Sequence, residues 1–352
     1  MTLATRLGIG TVIALIVLAL LPFAGVKIPG LFDGALSSPG TLNLLGMCFV
    51  FGALAITYDI VFGYVGLLSF GHALYFATGV YVTAIALARW HWSLPAAVGL
   101  TVVVSLVLPL VLGAICLRMR DIPFAMVTLA FAQAGSILVM QNPFGLTGGE
   151  EGLALSGDML PSSLVGVVNT RNLYWLALVL IVVVYVVAWR AVNSPPGRVW
   201  QAIRENERRV GVLGLNPYLY KLGAFVLSAF LASLCGVVYL LLQGGANPQV
   251  TTADFTLALL VMVVLGGVGT LWGAVLGGVV YEYLDFRLVA LSNAPAVQSL
   301  PAVLRVPLSE PLFLLGVLFI VLVLFVPGGL GGALQRRLLR SPLRSQAATG
   351  GV

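Results

Sequence analysis

From residue 9 to residue 326 the chain is an almost unbroken succession of apolar stretches, most of them close to the roughly 20 residues a helix needs to cross a bilayer. They fall at 9–25, 42–62, 68–88, 94–117, 122–140, 173–191, 222–243, 255–275, 274–289 and 312–326. No other feature limits the possible folds as severely. A segment surrounded by lipid has no water to satisfy its backbone, so it must bond its own N–H and C=O groups, as a helix or inside a closed barrel. Barrel strands alternate apolar and polar side chains, and a run such as 176–189 shows no alternation. The expectation is an all-α, polytopic membrane protein with about ten transmembrane helices, the eighth and ninth nearly fused. Composition agrees: 9% of residues are charged and the mean hydropathy is +1.07, whereas about a quarter of a soluble domain is charged.

Orientation follows from the basic residues, which are retained on the cytoplasmic side. With the N-terminus inside, Lys27, Arg89, Arg171, Arg287 and Arg305 lie outside and the other thirteen of the 18 Lys and Arg residues lie inside. Both termini are then cytoplasmic. The pI near 9.4 reflects this topology rather than nucleic-acid binding, because the positive charge is split among short loops and a tail. Arg6 ahead of the first stretch imitates a signal peptide, but Phe23-Ala24-Gly25 is a poor cleavage site, so an uncleaved helix is expected. Cys48, Cys116 and Cys235 fall in or at the ends of spans and read as buried thiols, with neither a disulfide framework nor metal spacing. Two histidines exclude a multi-histidine metal site. Residues 1–330 form the membrane domain, and 331–352 a basic, disordered cytoplasmic tail against the anionic inner leaflet of the membrane lipid.

Three tracts depart from plain apolar helix. The first runs Gly63-Tyr64-Val65-Gly66-Leu67-Leu68-Ser69-Phe70-Gly71-His72, with Gly79 and Tyr81 beyond it, and interrupts one span before starting the next. The second is Gly266-Gly267-Val268-Gly269-Thr270-Leu271-Trp272-Gly273, followed by Gly277 and Gly278. Small residues let helices pack tightly, and interrupted helices present backbone groups to a pathway near the midplane; both readings apply here. The two tracts lie about 200 residues apart and could mark related halves. Neither is a phosphate loop, because neither Lys27 nor Lys221 follows a glycine, so ATP has no site in this chain. The third tract is Leu146-Thr147-Gly148-Gly149-Glu150-Glu151-Gly152-Leu153, in the external loop 141–171. Two adjacent carboxylates supply too few ligands for a cation, so Thr147, Gly148, Gly149, Glu150 and Glu151 read as a docking or folding element.

Polar groups inside the spans are few, chiefly Asp59, Ser69, His72, Gln133 and Gln243. An intramembrane carboxylate is a functional candidate by default, although Asp59 sits close enough to a span end for a helix partner to satisfy it. Ser69 and His72 share a helix face at i, i+3, but no carboxylate in the tract is placed to orient the histidine, so hydrolase chemistry is a poor reading. Asp59, Tyr64, Gly66, Ser69, Gly71, His72, Gln133, Gly267, Gly269 and Thr270 are the candidates for a translocation pathway.

Residues 194–217, SPPGRVWQAIRENERRVGVLGLNP, look like soluble protein. Ser194 before Pro195 and Pro196 is a helix start, and Gly211, Gly214, Asn216 and Pro217 are stops, leaving room for one to one and a half short helices. At about 100 degrees per residue, Val199, Trp200, Ile203, Glu207 and Val210 share one arc, with Arg198, Arg204, Glu205, Arg208 and Arg209 opposite. Glu205 is spaced to pair with Arg208 or Arg209. The segment is either an amphipathic helix lying on lipid or a helix seated in a cytoplasmic partner's groove, and a carboxylate on the apolar arc favours the groove.

Taken in order, GYVGLLSFGHALYFATGVY, VTLAFAQ, LTGGEEGL, SPPGRVWQAIRENERRVGVLGLNPYLYKLGAF and LGGVGTLWGAVLGG resemble the LivM-type permease subunits of bacterial ATP-binding-cassette importers for branched-chain amino acids, from Leu42 to Gly329. The resemblance implies a type II importer fold, LivM-like and BtuC-like, in the bacterial inner membrane. It implies a second, LivH-like permease subunit, two cytoplasmic ATPase subunits that bind the ATP and magnesium, and a periplasmic or extracellular substrate-binding protein. It also makes the cytoplasmic segment the coupling helix, with Arg198, Trp200, Ala202, Ile203, Arg204, Glu205, Asn206 and Glu207 in the ATPase cleft. Urea and short-amide permeases share the same motifs, which leaves them as an alternative to leucine, isoleucine and valine. An ion-coupled secondary carrier is the competing class, and the few intramembrane charges weigh against it.

Overall fold

Ser38 and Pro39 end an extended stretch and begin α1 (Pro39–Asp59), whose 21 residues are apolar on every side. A helix of that kind is stable only where nothing polar surrounds it. Here α1 is the centre of the bundle: its span is 94% buried inside the protein, with α5 (Thr170–Asn193), α7 (Pro217–Gln243), α8 (Ala253–Gly266) and α9 (Leu271–Ser292) packed around it. α2 (His72–Ala88) and α3 (Leu94–Cys116) complete the bundle against α7, and α4 (Asp121–Gln141) lies outside them. The short helix α6 (Pro195–Val212) connects α5 to α7, and α10 (Pro311–Phe325) packs on α9. The computed structural model describes residues 16–23, 25–27, 32, 34–164, 166, 169–292, 310–325 and 328–332.

The protein is thus a helical, multi-span membrane protein. Among the described residues, five helices are long and apolar enough to cross a bilayer, and α2 and α8 are shorter apolar helices. Each expected stretch from 42 onward contains a helix. Of the first, 9–25, only 16–23 and 25 are described, and the basic tail lies outside the described residues after 332. Two expected boundaries are corrected. The third stretch becomes helical at His72 rather than at 68, because Gly66 takes a left-handed φ of 82° and the chain from 66 to 71 runs outside any helix. The eighth and ninth stretches do not fuse. α8 stops at Gly266, Gly267 and Gly269 turn the chain with φ of 115° and 78°, and α9 begins at Leu271. Left-handed backbone of this kind suits glycine, which has no Cβ to clash.

Close helix approach accounts for other glycines. A Cβ on Gly236 of α7 would lie 3.0 Å from Val80 N and run into the Phe76 carbonyl of α2, and one on Gly278 of α9 would lie 2.5 Å from the Phe51 carbonyl of α1. At the end of the bundle where α4 and α7 finish, the segment between α4 and α5 folds back. Its strand β1 (Leu153–Ala154) pairs antiparallel with β2 (Gly245–Ala246), which follows α7. Segment 194–216 lies beyond one further span, α5, at the opposite end, beside the last turn of α1.

Candidate functional site

Both ends of α6 form as its sequence requires. Ser194 Oγ accepts from Gly197 N at 3.4 Å, capping a helix whose first two residues are Pro195 and Pro196. The helix breaks at Asn206, whose φ and ψ of −161° and 99° are extended, and Asn206 Oδ1 accepts from Arg209 N at 3.1 Å to cap the turn that follows. A side-chain oxygen reaching the third amide on is the N-cap geometry, so Asn206 ends one helix and starts the next. Gly214 turns the chain at φ 82°, and Asn216 Oδ1 caps α7 by accepting from Tyr218 N at 3.1 Å. The one and a half helices read from the sequence are these two pieces.

The apolar arc packs on this chain's own bundle. Trp200, Ile203 and Val210 are buried against the bundle, and Trp200 Nε1 donates to the Tyr220 carbonyl at 2.9 Å. Glu207 is on the arc because Lys221, buried at 7% exposure in α7, needs a counter-charge: Nζ donates to Glu207 Oε2 at 2.6 Å. A buried ammonium without a carboxylate is strongly unfavourable. The carboxylate on the arc thus answers Lys221 of this chain, and Trp200 and Ile203 pack on the bundle, so these three side chains are satisfied without an external groove. Nor does Glu205 pair with Arg208 or Arg209; among the described residues the ion pair is Lys221 with Glu207. Arg198, Ala202, Glu205, Asn206, Arg208 and Arg209 are exposed, followed by Val212 and Leu213, which stand 88% and 77% exposed.

Arg204 is exposed too, but it differs from the rest of the outer side in that its guanidinium reaches back to the bundle. Its Nη1 donates to the carbonyl of Gly63. That carbonyl belongs to the π turn Ile60–Val65 that ends α1, where Gly66 N and Leu67 N both bond back to Val61 O. Asp59, one turn earlier and fully buried, accepts from Gly269 N at 2.8 Å through Oδ1, while Oδ2 has no partner among the described residues. A Cβ on Gly63 would lie 2.6 Å from Gly269 N, and one on Gly269 would lie 3.0 Å from Arg204 Nη1. The two glycine tracts, read from the sequence as distant markers of two halves, therefore meet at one point under α6.

The remaining pathway candidates divide between the core and the edge. Ser69, Gly71 and His72 are buried among helices of this chain. Thr57 Oγ1 lies 3.0 Å from His72 Nε2, Tyr58 Oη donates to the Ser69 carbonyl at 3.1 Å, and Phe70 N donates to Thr128 Oγ1 at 3.2 Å. Non-helical backbone is tolerated at membrane depth where, as here, it is buried in protein that can bond its polar groups. Tyr64 is half-buried and Gly66 exposed beside Arg204, Gly267 is buried, and Thr270 Oγ1 donates to the Gly267 carbonyl at 2.6 Å. Gln133 is exposed on α4. Sequence reasoning passed over Glu282 and Asp285, a partly buried i, i+3 pair in α9, although both letters stand in plain view in the ninth stretch.

In the loop between α4 and α5, Asn142 Oδ1 accepts from Thr147 N at 2.8 Å, Thr147 Oγ1 at 3.1 Å and Gly148 N at 3.1 Å. Thr147 is buried, and Gly148 and Gly149 turn the chain with positive φ. Glu150 and Glu151 are left exposed on the surface, near Phe144, which is 97% exposed. The prominent Phe144 was also missed, because a single aromatic beside a proline carries no sequence signal of exposure.

A helical membrane bundle with broken inner helices and a capped, kinked segment fastened beneath the breaks has the build of a transport permease. The family described as the branched-chain amino acid transport system permease component matches residues 40–326, and the chain belongs to that family. It is similar to the high-affinity branched-chain amino acid transport system permease protein LivM of Salmonella typhimurium, 29% identical over 267 residues that cover 69% of this chain and 62% of that protein. It is also similar to LivH of the corresponding Escherichia coli system, 26% identical over 268 residues covering 69% of this chain and 82% of that one. The autoinducer 2 import system permease protein LsrC of Yersinia pseudotuberculosis is 30% identical over 152 residues, 42% of each chain. The chain thus matches less than two thirds of the length of these LivM relatives. No solved structure matches it.

Proposed function

We propose that this chain is one permease subunit of an ATP-driven importer, forming a pathway for leucine, isoleucine and valine together with a second, LivH-like permease. Two ATPase subunits in the cytoplasm bind the ATP and magnesium, and a binding protein delivers substrate from outside. The chain itself is a transport subunit without catalytic residues. The observation that carries this reading is family membership over residues 40–326, joined to a capped helix pair on the end of the bundle. In this reading α6 and both termini are cytoplasmic. The ATPase meets Arg198, Ala202, Glu205, Asn206, Arg208 and Arg209 and the exposed Val212 and Leu213, while Trp200, Ile203 and Glu207 hold the segment to the bundle. At the other end Glu150 and Glu151, with Phe144, form the docking face for the binding protein.

Reconstitution with the second permease, the ATPases and the binding protein tests this directly. ATP-dependent leucine uptake into vesicles is expected only with the complete set, and its absence refutes the proposal. Uptake of urea or a short amide in place of leucine selects the alternative substrate. One observation favours a carrier reading: α9 carries the partly buried Glu282 and Asp285 inside the apolar stretch 274–289, and acidic groups at membrane depth mark ion pathways. Gradient-driven leucine uptake by the lone subunit would establish that reading instead.

A further inference from the structure

We infer that Arg204 is the positioning residue through which movement of α6 reaches the membrane core, acting on the two helix breaks rather than on the ATPase surface. The inference rests on the importer reading and deepens it.

The break after α1 leaves a backbone carbonyl without an amide partner. The last turn of any helix leaves C=O groups without amide partners. At the end of α1 this shortage falls on Gly63: the amide four residues on, Leu67 N, bonds to Val61 O at 2.9 Å instead. The Arg204 guanidinium supplies the missing donor, and places a positive charge where the helix dipole favours one. Its stem lies along Gly66, where an added Cβ would be 2.9 Å from Arg204 Cγ. The same guanidinium borders the second break, since Nη1 would lie 3.0 Å from a Cβ on Gly269. Gly269 is in turn tied to α1 through Asp59 Oδ1. One side chain of the cytoplasmic segment thus touches both the end of α1 and the turn that starts α9.

The kink at Asn206 separates this link from the Glu207 anchor, while Trp200, in the same piece as Arg204, bonds to the Tyr220 carbonyl. Arg204 belongs to the piece before the break and Glu207, with its bond to Lys221 of α7, to the piece after it. A displacement of the piece before the break can therefore pivot at Asn206 and pull on Gly63 and Gly269 while the Glu207–Lys221 pair holds the piece after it. The unpartnered Asp59 Oδ2, buried beside Gly63, offers the guanidinium a second acceptor as it moves.

The test uses the full reconstituted complex and reads substrate-stimulated against basal ATP hydrolysis, uptake, and crosslinking of a cysteine at Ala202 to the ATPase. Arg204→Met keeps the stem and removes the donor. The expected result is a crosslink as in the parent, a stimulated-to-basal ratio near one, and uptake reduced at least about tenfold. Arg204→Lys, which restores one donor, is expected to recover part of the ratio. A parental ratio in Arg204→Met overturns the inference, as does failure of both variants to assemble, which would make Arg204 a folding anchor. If the parent complex itself shows no ATP-dependent uptake, the importer reading fails, and the result says so independently of these variants.

Discussion

The two ends of the bundle carry segments that look alike as sequence, rich in Gly, Pro and Asn, yet they are built on different principles. The loop between α4 and α5 is held by many short bonds of both kinds: the Asn142 side chain gathers three donors, β1 pairs with β2, and Leu155 N donates to the Gly244 carbonyl at 2.9 Å. The α6 segment is held mainly by side chains at a few points, through Trp200, Glu207 and Arg204, with a hinge at Asn206 between them. Bonding at many points gives a rigid platform. A few side-chain anchors around a hinge give an element that can move as a unit. The first suits a face that receives a partner, and the second suits a lever.

The sharpest way to break this contrast is at the breaks under α6. Gly63→Ala places a methyl against the Gly269 backbone amide, which cannot yield, and against the Asp59 carboxyl, which could move only by giving up its bond to Gly269 N, and is expected to cost about 3 kcal/mol or more. Loss of folded protein in detergent, measured by size exclusion and thermal melting, checks it; a stable Gly63→Ala protein would mean the breaks are not pressed together.

A smaller effect is expected at the α7 anchor. Glu207→Ala leaves Lys221 buried without its carboxylate, for about 1–3 kcal/mol once the partial exposure of Glu207 is allowed for. Lys221→Ala leaves only the better-hydrated partner alone and is expected to cost less. Pairing Glu207→Leu with Lys221→Met is expected to recover most of the loss. Melting temperatures of the four proteins decide this, and equal costs for the two single variants would contradict the assigned burial.

At the opposite end Asn142→Ala removes three acceptor bonds from a tight turn, an expected loss of about 1–2 kcal/mol confined to that loop. Faster proteolysis between 143 and 164 with an unchanged main unfolding transition is the expected signature. If the whole protein melts earlier, the loop is part of the core and not a platform on it.

The smallest effect belongs to the exposed acids. Glu150→Gln with Glu151→Gln is expected to change stability by less than about 0.5 kcal/mol, because both side chains stand in water. Any loss is expected in uptake alone, at limiting concentrations of the binding protein. A cysteine at Ser162 reacting with an impermeant reagent on intact cells, while one at Arg208 does not, fixes which end faces outward.

Much of this protein was legible one segment at a time. A stretch such as 94–117 can do little in lipid except form a helix, so most of the span pattern, the break at Gly66 and the caps at Ser194 and Asn216 follow from local chemistry. Membership of the permease family was legible in the same way, from the order of the motifs. Distance along the chain hid the rest. A helical wheel places Arg204 on the water side and Glu207 on the apolar side, but a wheel knows nothing of a kink at Asn206 or of a lysine 14 residues away in another helix. Likewise Asp59 and Gly269 lie 210 residues apart, and only packing of α1 against α8 and α9 makes the second the donor to the first. Periodicity and propensity act within a turn or two and are written in the sequence. The partner of a buried charge or an orphaned carbonyl is whichever group the tertiary packing brings within 3 Å, because desolvation makes that pairing obligatory without specifying its source.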